Sequence, residues 1–199
     1  TADNTQFTGV ELTGGESLKA DCCILCTGGV SYPSTGSTGD GHRFADKTGH
    51  KIVECKPALV PLETSEKWCG DLMGLSLKNV SIRMCDDKKT LYEGFGEMLF
   101  THFGVSGPLV LSASSYVIDI IRTRELELVI DLKPALTEQV LDERILRDFE
   151  ENKNKDFINS LDALLPKKLI SVIVKLSGID ERQKVNSIKR DQRHNLVNL

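Results

Sequence analysis

The chain has 199 residues, 40% of them hydrophobic and 27% charged, with a formal net charge of −4. A chain of that length buries roughly 70% of the surface it exposes when extended, room for one domain or two small ones, and the composition is that of an ordinary soluble globular protein. The slight negative charge gives no electrostatic reason to expect a polyanion, so no nucleic-acid partner is expected; the longest apolar run, 169–176, is broken by Ser171 and Lys175 and falls well short of the roughly 20 residues of a bilayer crossing, so no membrane span is expected either.

The chain opens Thr1-Ala2-Asp3-Asn4-Thr5, without a start methionine, a basic region or an apolar stretch, and reads as a cut rather than as a signal peptide. Residues 6–12 and 17–20 are β-prone and are joined by Gly14-Gly15, which suits a tight hairpin turn. Cys22-Cys23-Ile24-Leu25-Cys26 follows as an unbroken apolar run ending in Thr27-Gly28-Gly29, the pattern of a strand buried on both faces and then a sharp turn. Residues 31–41 form a glycine- and hydroxyl-rich loop leading into a helix of about two turns, with Lys47 in its last turn and Gly49 closing it.

From Lys51 the texture changes to short apolar segments at 52–53, 59–62, 75–84, 91–95 and 98–100, an antiparallel sheet or small barrel with Asp86-Asp87-Lys88-Lys89 at one hairpin tip. Ser106-Gly107-Pro108 is expected to open a helix through about Tyr116, with the serine as cap and proline tolerated in the first turn. Residues 126–132 return as a strand. The last third is helical: Thr137 is a good N-cap ahead of Val140, Leu141, Ile145 and Phe149 on one face, Leu161, Leu164 and Leu165 form an apolar patch before Pro166, and a helix over 167–177 stops at Gly178. Residues 191–199 look like a helix start without a stop signal, a second cut end. The fold class is therefore α+β, with an α/β segment over 1–54 and a second domain over 55–199, mainly β over 55–135 and helical over 136–199.

Six cysteines at 22, 23, 26, 55, 69 and 85 include three in one apolar run, where free thiols pack as small hydrophobes, and point to a reducing cytoplasm. Cys23 and Cys26 form a CxxC, but no second pair or histidine couple follows at ligand spacing, so no metal site is expected. A buried strand ending in Thr27-Gly28-Gly29 brings backbone to the carboxyl edge of a parallel sheet, where ligands of open α/β folds sit. The loop running to Gly39-Asp40-Gly41 offers amide groups at a helix N-terminus, suited to phosphate or to a polar flavin edge, or else serves only as a turn. His102 sits between Thr101 and the Ser106 turn; it is either a general acid/base or a residue that fixes the turn by hydrogen bonds. His42, His50 and His194 lack a partner at metal or triad spacing, and Trp68 reads as a loop anchor or a stacking surface.

The succession of residues 24–29, Ser31, Pro33, Gly36, Thr38-Gly39-Asp40-Gly41 and Gly49-His50 resembles the bacterial NAD(P)/FAD-dependent oxidoreductase family related to aminoacetone oxidase. Residues 57–62 (PALVPL), 96–108 (GEMLFTHFGVSGP) and 164–167 (LLPK) continue the likeness over nearly the whole chain, with Cys26 standing where the family usually has alanine. The resemblance implies that 1–54 is the middle segment of a discontinuous flavin domain and 55–199 a domain inserted after it. It further implies that Thr27, Gly28 and Gly29 line the FAD side of the sheet, and that Gly39, Asp40 and Gly41 shape the loop and helix start near the cofactor, where Asp40 could equally serve as the helix cap. The early GxGxxG that meets the FAD pyrophosphate does not occur here, so the intact protein is expected to bind FAD and this stretch alone to bind none. A small-molecule substrate, with NAD(P)H as a further partner, completes that expectation. The competing reading is a non-catalytic binding module whose glycine loop holds an unrelated phosphate or merely turns.

Overall fold

The computed structural model describes residues 2–3 and 6–199. The chain divides into two compact units, Thr1–Cys55 and Lys56–Leu199. In the first, β1 (Ala2–Asp3) pairs antiparallel with β2 (Gln6–Phe7), and β3 (Gly9–Glu11) with β4 (Ser17–Lys19), Val10 opposite Leu18. A single turn of 3-10 helix over Pro33–Thr35 and then helix α1 (Asp40–Lys47) complete it, and Gly49 follows α1 in the left-handed region at φ 88°.

The run Cys22–Cys26 is not a strand here. It carries no sheet pairing among the described residues, and Ile24 and Leu25 are 86% and 54% exposed. The reason is physical: a strand apolar on both faces forms only when neighbouring strands take its hydrogen bonds and further layers cover its faces. No described hydrophobic side chain of this unit is buried, so the unit has no core of its own.

The second unit is built on a five-stranded antiparallel sheet of order β5-β8-β7-β6-β9, curled into half of a barrel. Its strands are β5 (Leu62–Glu63), β6 (Ser76–Asp86), β7 (Lys89–Phe100), β8 (Gly104–Ser106) and β9 (Glu127–Asp131), with the short helix α2 (Trp68–Asp71) between β5 and β6. The β6–β7 hairpin turns at Asp87-Lys88, with Asp87 at φ 51°, and a bulge between Leu77 and Val80 puts Asn79 at φ 55°. Aspartate and asparagine tolerate that conformation better than other side chains, which is why the tip and the bulge fall on them.

Helix α3 (Pro108–Ile121) lays Leu109, Val110, Ala113 and Val117 on the sheet. It differs from expectation at both ends. Ser106 belongs to β8, paired with Leu99, and the helix follows Gly107 with no side-chain cap; it also runs five residues beyond Tyr116, because Val117 is buried and Ile121 packs on the core. Helices α4 (Glu138–Glu151), α5 (Lys167–Ser177) and α6 (Arg190–Val197) form the last third. Thr137 Oγ1 accepts the Val140 amide at 3.3 Å as the N-cap of α4, and Gly178 ends α5 at φ 68°. Helix α6 closes within the chain, the Asn198 amide bonding the His194 carbonyl at 3.1 Å, where the sequence shows no stop signal. Ile82, Met98, Phe100, Val110, Ile145, Phe157 and Leu161 are among the side chains of one continuous core, each of the larger ones contributing about 1.5–3 kcal/mol of transfer free energy. The class is α+β.

Candidate functional site

In the first unit the two glycine segments meet. The Gly39 amide donates to the Gly29 carbonyl at 3.1 Å, which ties the Thr27-Gly28-Gly29 turn to the start of α1. A β-carbon on Gly41 would lie 2.6 Å from Thr27 Oγ1, and one on Gly28, itself at φ 71°, 2.6 Å from Ser37 Oγ. Gly28 is thus favoured by its left-handed backbone, and at Gly41 a β-carbon would have to displace the Thr27 hydroxyl. Gly29 is different: its φ lies outside the left-handed region and a β-carbon there would meet nothing within 4 Å.

Gly39, at φ 81°, is the N-cap of α1, and no side chain caps the helix. Asp40 is therefore the first helical residue rather than the cap. Its carboxylate accepts from Arg43 one turn on and from Thr38 Oγ1 at 3.3 Å, while Arg43 Nη1 also donates to the Thr38 carbonyl at 2.9 Å. The amides of Asp40, Gly41 and His42 have no acceptor among the described residues, as the geometry of a helix start dictates. Three donors at the positive end of a helix dipole favour an anion or a polar ring edge. Arg43 escaped the sequence reading, although its i, i+3 spacing from Asp40 is a readable signal.

Cys55 Sγ lies 4.0 Å from both ring nitrogens of His42, a proximity across thirteen residues that no local spacing announces. No group of three or more His, Cys, Asp or Glu side chains among the described residues could hold a metal. His102 belongs to the second unit, exposed in the turn between β7 and β8. That turn is fixed by the Thr101 amide on the Gly104 carbonyl at 2.8 Å and the Thr64 amide on the Phe103 carbonyl at 3.2 Å. The His102 ring makes no hydrogen bond among the described residues and stands edge-on to Phe103 with centroids 4.8 Å apart. Trp68 packs its ring 6.2 Å from that of Phe100, as an anchor of the loop before β6. Cys69 is buried, and burial pushes its thiol pKa up, with Glu66 adding to the effect. No helix among the described residues is long and apolar enough to cross a membrane.

A half-barrel sheet carrying a helical subdomain forms one unit and a glycine turn at a helix start lies in the other, so the class is that of a two-part α+β protein. Residues 56–199 match the family described as HI0933-like protein barrel and H2TH domain. The chain belongs to that HI0933-like family.

Among curated proteins it is 31% identical over 176 residues to a ribosomal RNA dihydrouridine synthase of Haemophilus influenzae, covering 87% of this chain and 40% of that protein. It is 26% identical over 184 residues to a 3-dehydro-bile acid delta(4,6)-reductase of Clostridium scindens, covering 92% of this chain and 45% of that protein. With a ribosomal RNA dihydrouridine synthase of Escherichia coli it shares 28% identity over 195 residues, 96% of this chain and 44% of that one. The chain thus spans less than half the length of each of these relatives.

Proposed function

We propose that the whole protein is an FAD-dependent oxidoreductase in which the Thr27–Gly29 turn and the start of α1 lie against the cofactor, and that residues 1–199 alone are catalytically inert. The observation that carries this reading is Gly29: neither its conformation nor its surroundings require glycine, yet it sits beside the open amides of Asp40, Gly41 and His42. A bare backbone next to donors at a helix start fits a large polar cofactor approaching too closely for a side chain. Bound FAD supplies two-electron transfer through its isoalloxazine ring. The chain's own residues serve to hold and orient: Gly29 leaves room, the three amides donate hydrogen bonds, and Asp40, steadied by Arg43, offers a carboxylate acceptor.

The reaction type we propose is addition of two hydrogen atoms across a carbon–carbon double bond. Forming dihydrouridine and reducing a delta(4,6) bond are both reactions of that kind, and these are the activities named for the relatives. NAD(P)H is the proposed electron source and a small molecule the proposed substrate, with the 56–199 unit covering the reactive face of the flavin and shaping the substrate site. A second reading, in which the substrate is ribosomal RNA, is favoured by the names of two of the three relatives.

The test is Gly29→Ala in the whole protein. A methyl group enters open space in the chain itself, so the melting temperature of the apoprotein should stay unchanged while FAD affinity falls by about tenfold or more, some 1.4 kcal/mol. Unchanged FAD affinity in this variant would sink the assignment of the turn to the cofactor. For the 199-residue chain alone we expect no flavin absorbance after purification; a yellow stoichiometric complex would refute its inertness.

A further inference from the structure

The second unit contains a half-buried lysine, Lys133, whose ammonium has no ion-pair partner among the described residues. Lys133 follows β9 in a fixed turn: its amide donates to Asp131 Oδ1 at 2.8 Å and its carbonyl accepts the Leu136 amide at 2.8 Å. Its ammonium group has neither a hydrogen bond nor an ion-pair partner among the described residues. The side chain is half-buried, and burial first, then the charge of Arg144, push its pKa below the usual lysine value. Arg144 is already engaged, donating to the Ala163 carbonyl at 3.0 Å and lying 3.8 Å from Asp148.

Lys133 lines a hollow of about 260 Å³ whose walls are the start of β6, with Ser76 and Lys78, and the turn before α5, with Leu164 and Pro166; Leu132 contributes to its apolar floor. Lys78 is exposed, and its nearest acid, Glu97, stands at 4.0 Å, too loose a pair to hold it. A partly desolvated lysine that feels the charge of Arg144 and has no ion-pair partner among the described residues is unfavourable unless an anion arrives.

We propose that this hollow binds a phosphate ester, Lys133 and Lys78 meeting the phosphate oxygens and the apolar floor taking the nucleoside body attached to them. Two lysines and the Ser76 hydroxyl match a charged, multi-oxygen group, and the floor favours a ligand that also carries an apolar surface. The net charge of the chain does not oppose this, since charges beyond about 10 Å are screened at ordinary salt. The phosphate can come from NADPH or from an RNA strand. The inference goes beyond the flavin reading and does not depend on it, because binding is measured without turnover.

The experiment uses the whole protein, with NADPH, NADH and fluorescein-labelled decauridylate as probes at equilibrium. In Lys133→Gln we expect at least one phosphate probe to weaken by about tenfold, with Lys133→Arg retaining most of the affinity. A lost preference for NADPH over NADH identifies the cofactor as the source; a weakened decauridylate complex, with its salt dependence shallower by about one, identifies RNA. If no probe weakens, or if the hairpin-tip variant Lys88→Gln weakens them equally, the site does not exist. The melting temperature gives an independent readout: removing an unpaired half-buried charge should leave it unchanged or raise it, and a fall would make Lys133 a structural residue and overturn the proposal.

Discussion

Ser114 shows how much a single hydroxyl can fix. It is fully buried in α3, one of two buried polar side chains among the described residues, and its oxygen donates to the Leu111 carbonyl at 2.7 Å while accepting the Val60 amide at 3.0 Å. Val60 follows Leu59, which is held in the left-handed region at φ 55°, a conformation costing a leucine roughly 1–2 kcal/mol. The serine thus secures a strained segment by satisfying the amide beside it. Ser114→Ala leaves that amide without a partner and should destabilise the second unit by about 1–3 kcal/mol, read as a lower midpoint in urea with an unchanged slope. In the sequence Ser114 is one polar residue on an amphipathic helix; its role depends on residue 60, which local pattern cannot bring to it.

At the scale of elements, the helical third is held by an ion pair rather than by apolar contact alone. Arg193 of α6 grips Asp142 of α4 with two nitrogens, Nε at 2.5 Å and Nη2 at 3.2 Å, the two side chains only 12% and 32% exposed. Arg193 holds the Asp142 carboxyl below the usual carboxylate range, its hydrogen bonds being the largest cause. The folded state therefore binds this proton more weakly than the unfolded chain, so the pair stabilises above the unfolded value of about 4 and its contribution is lost as pH falls through the lower folded value. Asp142→Asn should cost about 1–2 kcal/mol at pH 7, discounted for partial exposure, and the difference from wild type should vanish in acid. Thr137→Ala should cost about 1 kcal/mol at the other end of α4, independent of pH above 5, as thermal melts can show.

Elements were legible where their signals are local. Pro166 and Gly178 bracket α5, Asp87 marks the hairpin tip, and Thr137 marks a helix start, each through the preference of one residue for one backbone conformation. Cys22–Cys26 misled because a doubly apolar strand is a statement about neighbours, and none pairs with it among the described residues. Ser106 misled because a strand residue and a cap residue look alike before a Gly-Pro pair. Of the candidate site, both glycine segments were singled out in the sequence, whereas their meeting, through the Gly39 amide on the Gly29 carbonyl and the close approach of Gly41 to Thr27, needed coordinates. Lys133 was invisible, since lacking a partner is a property of three-dimensional surroundings.

Across the whole molecule the two units differ in kind. Cys22, Cys23, Cys26 and Cys55 are exposed, while Cys69 and Cys85 are buried. In the 199-residue chain four thiols should react quickly with a disulfide reagent at pH 8 and two only after unfolding. In the whole protein, Cys22, Cys23 and Cys26 should become protected if their run joins a covered parallel sheet as the flavin reading requires; equal reactivity in both forms would count against that reading.

Every buried hydrophobic side chain among the described residues lies at Leu62 or beyond. A portion of chain that carries every buried hydrophobic side chain among the described residues should behave as a transplantable cassette. Residues 56–199 should survive mild proteolysis as a resistant fragment and fold when expressed by themselves. Exchanged between relatives, they would carry their own stability into the recipient, so that a chimera can be judged by which substrate it accepts rather than by whether it holds together.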